Sequence, residues 1–263
     1  MAFLDPIFNP VLLPLINMNP FWGIVILSFL ISLLIVIIYK LVTNQDEMKR
    51  LKDEQKEYQK KLKALKSNPE EMMKVQKEAM KKNMDYMKHS FKPTLITFIP
   101  IILIFGWMNA HLAYEPIYPG ETFSVTAMFA EDFTGEAQLE GDEDTEFISE
   151  IKQEIKEDQA TWNLKSSKGE HFFTVKVGSD EQTKKVLITK DLAYEDPITL
   201  YQHSDIEQIK INYNKLKPVD HLLSTEEKAA DFSLFGWKPG WLGLYIIFSI
   251  VFSMGLRKLL KIY

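Results

Sequence analysis

The chain has no cysteine. That excludes a disulfide scaffold, a cysteine-ligated zinc or iron–sulfur centre, and thiol catalysis. Its 263 residues contain no nucleophile elbow, phosphate-binding loop or dinucleotide fingerprint. The expectation is a protein that is not an enzyme and needs no cofactor or metal. Positions 1–20 lack Lys and Arg. A cleaved secretory signal needs a basic leading segment, so the first apolar run is read as an anchor. Composition averages look like those of a soluble protein, with 46% hydrophobic residues, 25% charged residues and a net charge of −5. The averages hide a segregation of apolar and charged residues into blocks.

Charge is absent from three runs, at 21–39, 95–112 and 241–256. The first has 19 residues, enough to cross a hydrocarbon core of about 30 Å at about 1.5 Å per residue. The other two are short for a full span. Trp22, Tyr39, Trp107, Trp237 and Trp241 mark their ends, as aromatic residues do at membrane interfaces. Three membrane helices explain this better than three buried helices of a soluble core. Segment 40–92 carries a charge of +6, segment 113–240 carries −13, and the tail 257–263 carries +3. The positive-inside rule puts 40–92 and the carboxyl end in the cytoplasm. The amino end and 113–240 then lie outside. The expected parts are 1–40, an outer amino-terminal segment and first span; 41–92, cytoplasmic; 93–113, second span; 114–236, extracytoplasmic; and 237–263, third span and basic tail.

The cytoplasmic part reads as a helical hairpin. Leu41, Asn44, Met48, Leu51, Gln55, Tyr58, Leu62 and Leu65 alternate in steps of three and four, the seam of a coiled coil. Asn68 suits a helix cap, Pro69 the first helical position, and Glu70 and Glu71 the positive end of the helix dipole. A second helix therefore starts at Pro69 and returns antiparallel. Met73, Met80, Met84 and Met87 lie near its seam spacing, with Met72 beside it. Met is unbranched and polarizable, so Met72, Met73, Met80, Met84 and Met87 are candidates for capturing varied apolar segments. The plainer reading is that they fill the seam. The 15 basic residues of 40–92 make ribosomal RNA or anionic lipid conceivable partners, though their mixture with acids suits a solvated face.

From 116 to 217 short alternating strands follow one another between turn residues: 122–129, 136–140, 160–165, 171–177, 184–189 and 206–213. This spacing predicts an all-β insert, an immunoglobulin-like sandwich. Ile148, Ile151 and Ile155 have helical spacing, but a strand leading into a turn at 156–159 is equally open. The acidic loop 140–144 lacks the spacing of a calcium loop. His171, His203 and His221 form no ligand pattern.

Within the spans, Ser28 and Ser32 share a helical face, as do Ser249 and Ser253. The second span adds Thr97, Pro100, which frees a backbone carbonyl and bends a helix, and Asn109 toward its outer end. Small polar residues in spans often only pack helices. Ser28, Ser32, Thr97, Asn109, Ser249 and Ser253 are also candidates to line a wet groove.

An apolar anchor, a basic hairpin, a second span entered through Met84-Asp85-Tyr86-Met87-Lys88-His89-Ser90-Phe91-Lys92-Pro93, and a later third span together resemble the YidC/Oxa insertase superfamily. The likeness covers about 10–112 and 237–263. It points in particular to the archaeal YidC-like branch, related to the insertase subunit of the ER membrane protein complex. It implies a multi-pass plasma-membrane protein that inserts nascent membrane proteins through a polar groove, without ATP, in locally thinned lipid. Bacterial members carry an arginine in that groove. No charge lies inside these spans, and Lys40 and Arg257 only flank them. The β segment also departs from the bacterial layout. A different class of function, a sensor or scaffold joining an outer recognition domain to a cytoplasmic coil, is the alternative.

The orientation is testable because the chain is free of cysteine. Cysteines placed at Ser67 and Ser179 should react with an impermeant reagent from opposite sides of the membrane. Reaction from one side only would remove the three-span arrangement.

Overall fold

The computed structural model describes residues 5–65, 68–222 and 236–262; Ser67 and the linker 223–235 lie outside the described residues. Five α-helices occur among them: α1 (Asp5–Met18), α2 (Pro20–Val42), α3 (Gln45–Ala64), α4 (Pro69–Leu112) and α5 (Trp241–Leu259). Three stretches are long and apolar enough to cross a membrane: Pro20–Val42, Phe91–Leu112 and Trp241–Leu259. They coincide with the three uncharged runs. The chain divides into two compact units. One holds most of the helical residues. The other comprises Ile16–Phe21 and Met108–Trp241.

The amino-terminal segment departs from expectation. Residues 5–18 form a helix, although Pro10 and Pro14 lie inside it. Asn19 separates α1 from α2, and its side-chain oxygen accepts the Phe21 backbone N–H at 2.9 Å. The second span differs too. It is the far end of α4, a single helix of 44 residues that contains Pro93 and Pro100 and measures about 66 Å at the usual rise. Arm and span are thus parts of one continuous helix, with the span itself at Phe91–Leu112.

Among the described residues of the second unit, nine strands form two antiparallel sheets, ordered β3-β5-β1-β9-β8 and β4-β2-β6-β7. They are β1 (Phe123–Phe129), β2 (Glu136–Glu140), β3 (Glu146–Phe147), β4 (Lys152–Glu154), β5 (Gln159–Lys165), β6 (Gly169–Val177), β7 (Asp180–Ile188), β8 (Ile198–Leu200) and β9 (Ile206–Ile211). Alternate residues such as Val125, Trp162, Phe173, Val186 and Ile209 point inward and form one core. The ambiguous stretch is strand, not helix. It ends in a two-residue turn with Glu157 and Asp158 at φ 52° and 56°, the hand a tight hairpin requires. The acidic loop is held from within. An Asp142 carboxylate oxygen lies 3.2 Å from His171 Nδ1 and accepts the Phe172 N–H at 3.1 Å. Among the described residues no cluster of three or more His, Asp and Glu could hold a metal ion.

The chain segments that enter and leave the β region are tied together inside this unit. Tyr194 Oη donates to the Asn109 carbonyl and accepts the Ala113 N–H, at 3.3 and 3.1 Å. Burial pushes the Tyr194 phenol up to about 12. Glu115 and His221 are both buried, with His221 Nε2 3.2 Å from each carboxylate oxygen. Lys238 pairs with Asp220 at 3.0 Å, and the Asn19 side-chain amide donates to the His221 carbonyl at 2.6 Å.

The arms α3 and α4 are bridged in antiparallel order. Gln55 bonds Asn83 at 3.0 Å, Tyr58 bonds Glu78 at 3.4 Å, and Lys82 pairs with Glu54 at 2.8 Å. The seam starts later than its spacing predicted. Asn44 is not a seam residue but the cap of α3, accepting the Asp46 and Glu47 N–H groups, and Leu41 is exposed. Met48 and Leu51 are the buried positions. On α4 the sheltered face carries Met72, Val75, Ala79, Lys82 and Tyr86. Met73, Met80, Met84 and Met87 are 60, 64, 53 and 55% exposed. The seam-filling reading is therefore corrected for most of them: Met72 lies on the sheltered face, Met73, Met84 and Met87 lie away from it, and Met80 borders the groove between the arms with Gln55, Tyr58 and Leu62. Leu51→Asp should lower the unfolding temperature of the full chain and open the arm to protease, because an unpaired buried charge costs several kcal/mol. Met84→Asp, on the outward face, should change neither. Equal effects would contradict the assigned faces.

Candidate functional site

The polar residues of α5 recur every four positions: Tyr245, Ser249, Ser253 and Arg257. Four residues make slightly more than one helical turn, so they form a slowly winding stripe. On α2, Ser28, Ser32, Ile35 and Tyr39 follow one another in steps of three and four. The two stripes meet. Ser32 and Ile35 of α2 and Tyr245, Ser249, Ile250, Ser253, Met254 and Arg257 of α5 line one cleft of ≈ 370 Å³. The Phe29 and Phe252 rings pack edge-on at 5.4 Å beside it.

The groove candidates separate by what their side chains touch. Ser32 is buried, and its hydroxyl has no hydrogen-bond partner among the described residues. Ser249 donates to the Ile246 carbonyl at 3.0 Å and still borders the cleft. Ser253 borders it as well. Ser28 is buried and donates to the Ile24 carbonyl at 2.7 Å. Thr97 does the same to the Pro93 carbonyl at 3.0 Å. These two hydroxyls are satisfied on their own helices and do not line this cleft. Asn109 belongs to the other unit. Three of the six candidates are thus brought together: Ser32, Ser249 and Ser253.

Arg257 was read from the sequence as a flanking charge, outside the span. The structure places it on the cleft wall. Its guanidinium lies over the Tyr39 ring, 4.8 Å from the centroid, a contact worth about 0.5–2 kcal/mol. The helix end fixes the approach. Lys261 adopts φ 51°, and the Ile262 N–H bonds back to the Arg257 carbonyl at 2.9 Å. This left-handed termination turns Ile262 into a cluster with Val36, Tyr39 and Met48, against which Tyr86, Leu256 and Leu260 pack. Continuing the Ser249–Ser253 step by four in each direction reaches Tyr245 and Arg257. That signal was available in the sequence.

The cleft thus offers hydroxyls along its length and one fixed positive charge at the end nearer the hairpin. It can solvate peptide groups and attract carboxylates. It has no acid–base or nucleophilic pair. The four exposed methionines of α4 form a second feature, an apolar stripe on the arm. A family model described as integral membrane protein EMC3/TMCO1-like matches residues 5–171. That stretch runs from α1 into β6 and leaves α5 outside it. No curated protein and no solved structure matches the chain.

If the cleft is wet, single cysteines at Ser32 or Ser253 should react with a hydrophilic thiol reagent added from the hairpin side. A cysteine at Leu30, which borders a purely apolar cleft on another face of α2, should react at least about tenfold more slowly, since thiol reaction requires an ionised, solvated thiolate. Equal rates would mean the serines only pack helices.

Proposed function

Because the chain belongs to the EMC3/TMCO1-like family of integral membrane proteins, relatives of the YidC/Oxa insertases, we propose that it inserts transmembrane segments of nascent membrane proteins through its polar cleft, without ATP. The observation that carries this reading is the convergence of Ser32, Ser249, Ser253 and Arg257 on one cleft between two spans. Leaving a polar group without a partner in hydrocarbon costs several kcal/mol. A tail that must cross alongside an inserting helix carries many such groups. Hydroxyls and water in the cleft replace part of their hydration, which lowers the barrier with no chemical step. Arg257 favours acidic or neutral tails over basic ones at the entrance.

The hairpin supplies capture. In this reading it stands in the cytoplasm as an antiparallel coiled coil, and 113–240 lies outside the plasma membrane, as the charges of +6 and −13 imply. Met73, Met80, Met84 and Met87, exposed on the arm, receive an apolar segment as it leaves the ribosome. Flexible side chains suit targets of varied shape. The in-chain bridges Gln55–Asn83 and Glu54–Lys82 occupy the seam that a parallel dimeric sensor coil would need, which weighs against the scaffold alternative.

Replacing Ser32, Ser249 and Ser253 together with Leu should keep the fold. Insertion of a substrate with a polar translocated tail should fall several-fold in reconstituted vesicles, while a tailless substrate is affected less. Equal loss or no loss for both would contradict a polar path.

A further inference from the structure

Helix α1 folds back along α2. Ile7, Phe8, Val11 and Leu12 line one apolar cleft of ≈ 320 Å³ together with Leu27, Leu30, Ile31 and Leu34 of α2 and Ile104 of α4. Ile7 lies 11 residues before Met18, and Leu30 lies 10 residues after Pro20. At 1.5 Å per residue both are about 15–16 Å from the α1/α2 junction. Only an antiparallel return brings them to the same cleft. A partly buried hydrogen bond pins the return: Trp107 Nε1 donates to Asn9 Oδ1 at 2.7 Å, and the Phe8 ring lies 6.4 Å from the indole.

The junction residues Ile16–Phe21 belong to the same compact unit as the β insert. Asn19, one residue before α2, donates to the His221 carbonyl. The far end of α2 carries Lys40 and leads into the hairpin. From the junction, α1 therefore runs inward, and its first turn reaches a depth of about 15 Å, halfway through a core of about 30 Å.

What covers its other face follows from composition. Ile7, Val11 and Met18 are 66, 62 and 71% exposed, and Pro10 and Pro14 lie between them on the same side. The opposite face carries buried Leu12 and Ile16. A helix that lies on a membrane surface needs a polar face toward water. Helix α1 has apolar residues on both faces, and beyond Asp5 in its first turn it carries no charge. Neither water nor the headgroup layer is a suitable neighbour for Ile7 and Val11.

We propose that α1 is a re-entrant half-helix that enters the bilayer from the side of the β insert, stops near mid-depth, and presents Ile7, Val11 and Met18 to lipid acyl chains of that leaflet. The proposal rests on membrane embedding and not on the insertase reading.

Nitroxide labels on single cysteines at Ile7, Val11 and Met18 test it. The full chain is reconstituted in phosphatidylcholine–phosphatidylglycerol vesicles, with a label at Leu30 as the mid-depth standard. Oxygen accessibility relative to that of a hydrophilic nickel chelate reports depth. The expected order is Met18 shallowest, Val11 intermediate, and Ile7 equal to Leu30. Three equally shallow labels would overturn the proposal by placing α1 on the surface. Dipolar broadening between labels on different molecules, abolished by dilution with unlabelled protein, would overturn it in favour of a second copy covering this face.

Discussion

Hydrocarbon offers no hydrogen bonds, so a polar atom carried into it must bond within the protein or stay wet. That constraint sorts the side chains of the spans. Ser28 and Thr97 return their hydroxyls to carbonyls of their own helices. Trp107 gives its indole N–H to Asn9. Ser32 has no hydrogen-bond partner among the described residues, yet it lies on the cleft wall that it shares with Ser249, Ser253 and Arg257. Polar atoms in the same helices thus have two fates, and the second one marks the site.

A small cluster of side chains sets the cleft's charged end. Tyr39 closes α2, holds the Arg257 guanidinium on its ring, and packs with Met48 from the start of α3 and Ile262 from beyond α5. Tyr86 of α4 joins the same cluster. The position of Arg257 is therefore coupled to both arms of the hairpin through contacts, not through distance alone. Removing the Tyr39 ring would free a long side chain whose charge prefers water. The charge at the end of the cleft thus depends on a tyrosine that is not itself among the cleft's lining residues.

Spans and strands were legible because their signals are periodic over many residues. The runs at 21–39, 95–112 and 241–256 and the alternation in β1, β5 and β6 needed no tertiary context. Helix α1 was not legible: Pro10 and Pro14 argue against a helix in water, whereas in a membrane neighbouring groups take up the freed carbonyls. Strand β8 has three residues, too few for an alternation to be recognised. The methionine face failed for a different reason. The steps of Met73, Met80, Met84 and Met87 are as regular as those of Met72, Val75, Ala79, Lys82 and Tyr86, so spacing alone could not say which face turns inward. Lys82 decides it through Glu54, a bond between helices that no single-helix pattern contains. Arg257 was overlooked because it lies just past the uncharged run, although it continues the step of four from Ser253.

The central claim is that a translocating polar tail passes along the α2–α5 cleft. Photoreactive residues placed one at a time at Ser32, Ser253 and Leu30 would capture an arrested insertion intermediate whose tail carries a radiolabel. The account predicts tail crosslinks from Ser32 and Ser253 and none above background from Leu30. Crosslinks from Leu30 equal to those from Ser253, or none from either cleft position while insertion proceeds, would contradict it.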